Sequence, residues 1–454
     1  MLRARHASVR NLLTVAPRRI AAALLVLIAL AAGYRILTRR AYSPAPAPPA
    51  AGAPPGSDQS VHPSFLYGIV TTVDGVTYEG RLRWGGTQEA FWSDYFNGQK
   101  KQNSWAAQVP PERLPTERHP IAFFGIEIVN RERPIDLTRL FMARFGDIAL
   151  IQASGRDVRV TLKSGAVFDL DRFSASDFDD GVRVWDASRG VTDLDSIRIR
   201  TIELLPPPRP GAAPHRLHGT VRTRHGREFT GFLQWDREQS LGSDHLSGQA
   251  ARAERTIPFH AIRSIARRTP DSSLVSIDGG AAIVLSGNRS VGEGNRGVYV
   301  DDPRFGRVLV SWQSFDRVDF SPGGSGPAYD DFPPGSPLTG AVTTRDGRSL
   351  SGRLVYDLDE SEFTETLDAP SEGVDYTIPF TLIASIAIPV PTQSGPRRAT
   401  VTLRDGMQLQ LESTGDLGPG NAGLLIFAAG NPSPAYVPWN NVVQIALDRP
   451  PANE

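Results

Sequence analysis

A thirteen-residue phrase written three times is the strongest constraint on this chain: GIVTTVDGVTYEG at 68–80, GTVRTRHGREFTG at 219–231 and GAVTTRDGRSLSG at 340–352. In each copy a valine (Val70, Val221, Val342) alternates with polar neighbours, the period of a half-buried strand. Asp74-Gly75, His225-Gly226 and Asp346-Gly347 then supply a tight turn, because glycine takes a positive φ without steric cost. The return strand runs on as GRLRW, GFLQW and GRLVY. A chain that places one hairpin at three equivalent points is repetitive and all-β.

The repetition extends further. A closing phrase follows each hairpin and completes an odd module: IAFFGIEI at 121–128, IPFHAIRSI at 257–265 and IPFTLIASI at 378–386. Even modules come next, with VTLKSGAVFDL at 160–170, SIDGGAAIVL at 276–285 and VTLRDGMQLQL at 401–411 as strand, turn and strand. Asp179, Asn295 and Asn421 each stand two residues before a strand-opening glycine, Gly181, Gly297 and Gly423. The even modules end on VTDLDSIRIRTIEL (191–204), FGRVLVSWQSFDRVDF (305–320) and VPWNNVVQIAL (437–447). Six modules are expected, at 61–132, 133–205, 216–267, 268–320, 338–390 and 391–448. Pro/Gly-rich linkers fill 206–215 and 321–337, and a tail covers 449–454. One segment departs from the β pattern. DLTRLFMARFG at 136–146 has an Asp cap, apolar residues at 137, 140, 141 and 145 and a closing glycine, which predict a short helix.

Short strands around glycine turns, an acid–Asn region and a final phrase of the type apolar-Pro-aromatic (Ile257-Pro258-Phe259, Ile378-Pro379-Phe380, Val437-Pro438-Trp439) resemble the Sm-like and SH3-like small-barrel group. The resemblance covers each module as a pattern and implies three tandem pairs of small β-barrels. Sm-like proteins commonly bind RNA in rings, a property the charge of this chain argues against. Residues 1–40 hold eight Arg and no acid, which leaves 41 basic against 49 acidic residues beyond them. Nucleic-acid affinity comes largely from neutralising phosphates, so no nucleic-acid partner is expected.

Those arginines mark the amino terminus. Arg3, Arg5, Arg10, Arg18 and Arg19 precede the apolar run IAAALLVLIALAAG at 20–33, and Arg39–Arg40 follow. A basic flank before an apolar core reads as a signal peptide, with Ala29 and Ala31 as a small-x-small cleavage site, or as a signal anchor spanning 20–37. The charge bias puts residues 1–19 in the cytosol and the body outside. Residues 38–60 form a Pro/Ala-rich spacer expected to be extended and disordered. A membrane is therefore the first expected partner.

The motifs that carry chemistry are few. The chain has no cysteine, which removes disulfides, thiolate metal sites and cysteine nucleophiles. It has no G-x-S-x-G, and its lysines are Lys100, Lys101 and Lys163. GEGNRG at 292–297 leads into Val298-Tyr299-Val300, a strand, whereas a dinucleotide loop opens a helix. ASDFDDG at 175–181 lacks the alternating spacing of a calcium loop. His215, His218, His225, His245 and His260 crowd the third module. Of these, His218, His225, His245 and His260 are weak metal candidates, and they fall in slots where the sister modules carry surface and turn residues. No cofactor is expected.

The best candidate surface combines aromatics with acids. Trp84, Trp235 and Tyr356 share strand faces with Leu82, Leu233 and Leu354, which points them into a core. Nine or ten residues after each comes an acid: Asp94, Asp244 and Glu365. Trp92, Tyr95 and Phe96 lie past the first strand and are expected to be exposed; with Trp105 beyond them and the acids beside them they suit a ledge for a sugar or a cationic peptide. The expected function is non-catalytic: an envelope-anchored repeat protein that binds a protein or glycan, or that self-associates. The alternative is an exported hydrolase or carbohydrate-active protein with its site at a module junction.

Overall fold

Each copy of the founding phrase folds as the hairpin its pattern predicts: Tyr67–Thr72 with Thr77–Trp84, His218–Thr223 with Glu228–Trp235, and Thr339–Thr344 with Ser349–Val355. The computed structural model describes residues 63–451 except 86–87, 93, 115, 124–125, 135–136, 138, 174–175, 209–215, 252, 324–325 and 390–397, with backbone alone for the remainder of 116–134 and for 176. All of them belong to one unit, Gln59–Glu454. The expected helix at 20–37, the spacer at 38–60 and His215 lie outside the described residues. Among the described residues no helix is long and apolar enough to cross a membrane.

The described body is all-β, and the three repeats use one strand order. In the second repeat the sheet runs Gly306–Val310, Val298–Asp302, Glu228–Trp235, His218–Thr223, Phe315–Phe320, Ile262–Thr269, Ser272–Ile277, Ile283–Ser286. The first repeat follows the same order from Gly190–Leu194 to Val167–Asp171, and the third from Ala435–Val437 to Gln408–Glu412. The first strand of each hairpin pairs on its free side with the last strand of its repeat, as Tyr67–Thr72 does with Ile199–Leu204. Within the second repeat, and again within the third, strands of the odd and even segments therefore intermingle in a single sheet. Two bulges recur in each repeat, at Thr71/Thr72, Arg222/Thr223 and Thr343/Thr344, and at Ile148/Leu150, Ile262/Ser264 and Ile383/Ser385. Bulges bend and twist a sheet, so these repeats curve at fixed places.

Burial follows the strand parity. Trp84, Trp235 and Tyr356 are essentially sealed from solvent. Each satisfies its polar atom on a carbonyl of the turn that follows the even hairpin: Trp84 on Asp177, Trp235 on Ser290 (2.9 Å) and Tyr356 on Asp416 (2.7 Å). A buried aromatic with its one donor satisfied is a core element.

Two expectations change. The helix expected at 136–146 is a strand, Leu140–Arg144, followed by a single 3-10 turn, Phe145–Asp147. Apolar spacing alone fits either, and here Tyr95–Gln99 offers a complete pairing edge, from Tyr95↔Arg144 to Gln99↔Leu140. The closing slot of the first repeat is filled by that 3-10 turn and the strand Ile148–Ser154. Residues 121–128 instead belong to an inserted hairpin, Thr116–Phe123 with Ile126–Pro134, which pairs with itself.

The repeats are also joined to one another. Strand Val374–Pro379 of the third repeat pairs along Gly306–Val310 of the second, so twelve strands form one sheet across the boundary. Residues Trp105 to Arg113 of the first repeat cover the corresponding edge of the third. There Trp105 meets Phe427 edge-on, Val109 enters the cluster of Val355, Leu358 and Leu425, and Arg113 donates to the Tyr436 carbonyl (3.3 Å).

Candidate functional site

The turn after the third core aromatic, Tyr356, lines a cavity dense in carboxyl groups. Asp357 and Leu358 both have positive φ (51° and 53°), as do Asp236 and Arg237 in the second repeat (51° and 57°). Two successive positive values make the type I′ turn that suits a hairpin, and Asp tolerates that conformation better than most residues. In the second repeat the Asp236 carboxylate is met by Arg289 (2.9 Å) and Arg296 (3.4 Å). Gly415 and Ala422 stand at those places in the third repeat, so its own arginines do not neutralise Asp357. The cation comes from the first repeat instead: Arg139 lies 2.9 Å from Asp357, and Lys100 lies 2.6 Å from Asp359.

Around these pairs is a cavity of about 490 Å³ lined by Asp357, Asp359, Glu360, Glu365, Asp368 and Asp416. Their hydrogen bonds are mostly internal. Asp416 accepts from the Asp368 backbone N–H (2.6 Å), and Asp368 accepts from the Thr377 hydroxyl (2.5 Å). Glu360 Oε2 is buried without a partner. Burial raises the pKa of Asp357 to about 7, of Glu365 to about 7 and of Asp368 to about 6, and holds Glu360 and Asp416 well above the carboxylate range. Desolvation is the largest cause in each, and neighbouring carboxylates add to it at Glu360 and Asp416.

Raised carboxyl values have a definite sign in the stability. At these three groups the folded chain holds protons that the unfolded chain has released, so their contribution to stability is full at acid pH and is lost as pH rises through about 6 to 7. The melting temperature is expected to drop by a few degrees between pH 5 and pH 8. Glu365→Gln, which keeps an acceptor but cannot ionise, flattens that slope. A melting temperature that rises over the same interval contradicts the assignment.

The recurring acids have an architectural place. Asp94 accepts from the backbone N–H groups of Glu89 and Ala90 (2.8 and 2.9 Å), Asp244 from Ser240 and Leu241 (2.8 and 2.9 Å), and Glu365 from Ser361 and Glu362 (2.5 and 2.9 Å). Each carboxylate closes the same loop in its repeat by satisfying two backbone donors. Asp244→Ala is expected to cost about 1–2 kcal/mol, because those donors lose their acceptor, measured as a lower urea midpoint.

The aromatic ledge is corrected in part. Tyr95 and Phe96 are buried, not exposed: they sit on a paired strand whose inner face packs Phe96 against Trp84, Phe141 and Phe145. Trp105 is half-buried on Phe427 and under the Arg353 guanidinium. Trp92 is half-buried and lines two small cavities where the three repeats meet, beside Arg144, Arg307 and Thr381 in one and Phe332 in the other. Arg307 is held there between Asp94 (3.7 Å) and Asp301 (3.8 Å), over the ring of Tyr299 (3.9 Å).

The histidines are dispersed by the fold. His218 is on a first strand against Ser321 (3.0 Å), His225 is in a hairpin turn, His245 opens a strand, and His260 contacts the Gly242 carbonyl (2.9 Å). Among the described residues no group of three or more His, Cys, Asp or Glu is arranged to hold a metal ion. The acidic cavity was not singled out by sequence reasoning. Its signal is the run DLDESEFTETLD at 357–368, dense in acids directly after a core aromatic, which no sister module matches. No protein-family model, curated protein or solved structure matches the chain.

Proposed function

We propose that this chain is a non-catalytic scaffold: an exported repeat body tethered to a membrane by residues 20–37, presenting its surfaces to an envelope protein or glycan. The observation that carries this reading is the use made of the recurrent carboxylates. Asp94, Asp244 and Glu365 close equivalent loops, so the polar feature that repeats most regularly serves architecture. The finer reading of the fold, small SH3-like or Sm-like barrels, is part of the same proposal. It draws support from the two recurrent bulges per repeat, which supply the bends a closing sheet needs.

The test is capture by the full chain, tagged and solubilised in detergent, from envelope extract, with isolated peptidoglycan and polysaccharide in parallel. Retention of one protein or glycan, lost on Trp92→Ala at the three-repeat junction, is the expected result. A second reading has one observation in its favour: raised-pKa carboxyls in a cavity between repeats are what a hydrolase of glycosidic bonds requires. Release of sugar from those glycans, abolished by Glu360→Gln, would replace the scaffold with that enzyme.

A further inference from the structure

One inter-repeat contact defines a donor and an acceptor. The acceptor is the edge strand Gly306–Val310 of the second repeat. The donor is Val374–Pro379 of the third, the outer strand of the hairpin it forms with Thr366–Ser371. They pair antiparallel as Arg307↔Thr377, Val308↔Tyr376, Leu309↔Asp375 and Val310↔Val374. Gly306 records how close the donor comes: a Cβ there would sit 2.5 Å from Pro379 and 2.6 Å from the Thr377 carbonyl.

Each element has a counterpart elsewhere in the chain. The acceptor of the third repeat, Ala435–Val437, is covered by Arg113 and Val109 of the first. The acceptor of the first repeat, Gly190–Leu194, is the end strand of its sheet, and among the described residues nothing pairs with its outer side. Gly190 has the backbone conformation of Gly306 (φ 79° against 78°), yet a Cβ on it meets nothing within 4 Å. Val191 beside it is 60% exposed. The donor of the second repeat, Ala253–Pro258, is likewise an end strand, with Ala253 through Thr256 exposed. Its sequence AERTIP aligns with the working donor VDYTIP, and it carries the same one-turn 3-10 helix after the proline. Among the described residues the acceptor Gly190–Leu194 and the donor Ala253–Pro258 thus each keep an unpaired outer side, as does Leu140–Arg144, the first repeat's strand at the donor position, which lacks the TIP ending that the other two share.

We propose that the occupant of the Gly190–Leu194 edge is the Ala253–Pro258 strand of a second copy of this chain, added in the register that joins the second and third repeats. That register sets Val191 opposite Thr256, Thr192 opposite Arg255, Asp193 opposite Glu254 and Leu194 opposite Ala253. The Asp193–Glu254 juxtaposition is offset by Arg183, 2.6 Å from Asp193 on the neighbouring strand. Arg255 stands where the buried Tyr376 stands in the internal joint, so the contact between chains buries less apolar surface and is the weaker of the two. Donor and acceptor are different patches, which makes the contact heterologous: it builds a ring if the rotation closes and a filament if it does not. This inference rests on the scaffold reading and names its partner. Membrane tethering would strengthen a weak contact by raising the local concentration of chains.

The absence of cysteine makes the test free of background. Full-length chains carrying Val191→Cys are mixed in detergent, under mild oxidation, with chains carrying Thr256→Cys; a second mixture uses Thr192→Cys with Arg255→Cys. Adjacent antiparallel pairs alternate in geometry, so one of the two mixtures holds a narrow, non-hydrogen-bonded pair within disulfide reach. The expected result is a linked dimer in at least one mixture, at least tenfold above Val73→Cys mixed with Thr256→Cys, where Val73 is an equally exposed control. No linkage in either mixture, or equal linkage in the control, overturns the proposal. Envelope capture without linkage leaves the scaffold reading in place and removes only the self-pairing.

Discussion

Gly231→Ala is expected to unfold the second repeat under conditions where the native chain is stable. A Cβ at that position would lie 1.9 Å from the Asp301 carbonyl oxygen and 2.6 Å from its carbon, both backbone atoms of a strand paired on either side. Nothing in the contact is a flexible side-chain end, so the sheet must part, at a cost of at least about 4 kcal/mol. The control lies in the same hairpin. Gly226 has φ 79° with open space around it, so Gly226→Ala bears only the left-handed backbone cost of about 1 kcal/mol. Denaturant midpoints read by circular dichroism separate the two, and equal midpoints would refute the steric account. The founding phrase thus begins and ends on glycine for one reason. Gly219 faces Gly231 across the ladder, as Gly68 faces Gly80 and Gly340 faces Gly352, and a neighbouring carbonyl stands within 1.9–2.3 Å of each missing Cβ.

The second large effect is Lys100→Met. Lys100 and Asp359 are both nearly buried and 2.6 Å apart, and Asp359 belongs to a cavity already rich in carboxyls. Removing the cation leaves a buried charge without its counterpart, which destabilises by about 3 kcal/mol at pH 8. Burial already raises the Asp359 pKa, and without Lys100 it rises further, so the penalty shrinks as pH falls from 8 to 5. The double variant Lys100→Met with Asp359→Asn recovers most of the loss at pH 8. Thermal unfolding at the two pH values is the measurement. A penalty independent of pH would place the effect in lost packing against Phe168, over whose ring Lys100 Nζ lies at 5.0 Å.

The founding hairpin, the even hairpins and the core role of Trp84, Trp235 and Tyr356 were legible because each depends on spacing within a dozen residues. The pairing of Tyr67–Thr72 with Ile199–Leu204 was not, since nothing local distinguishes one alternating strand from another as a partner. Residues 136–146 show the same limit: Leu137, Leu140, Phe141 and Phe145 fit a helical face, and only the distant strand Tyr95–Gln99 decides otherwise. For the site, the recurrence of Asp94, Asp244 and Glu365 was visible, but recurrence does not tell a ligand contact from a loop closure. The acidic cavity needs Lys100 and Arg139 to meet residues more than two hundred positions away, a juxtaposition only tertiary structure provides.

The strand shared between the second and third repeats bears on the order in which the chain can be completed. From Val310, where the acceptor ends, 64 further residues must be synthesised before Val374, the first residue of the donor, exists. At about 5–20 residues per second that is roughly 3–13 s during which the nascent second repeat presents a bare, apolar template. Its own outer strand, AERTIP, is made first and is a near copy of the intended donor. Two ribosomes translating one message therefore carry complementary halves of the same joint side by side, and premature exchange between them is the characteristic error this architecture must avoid.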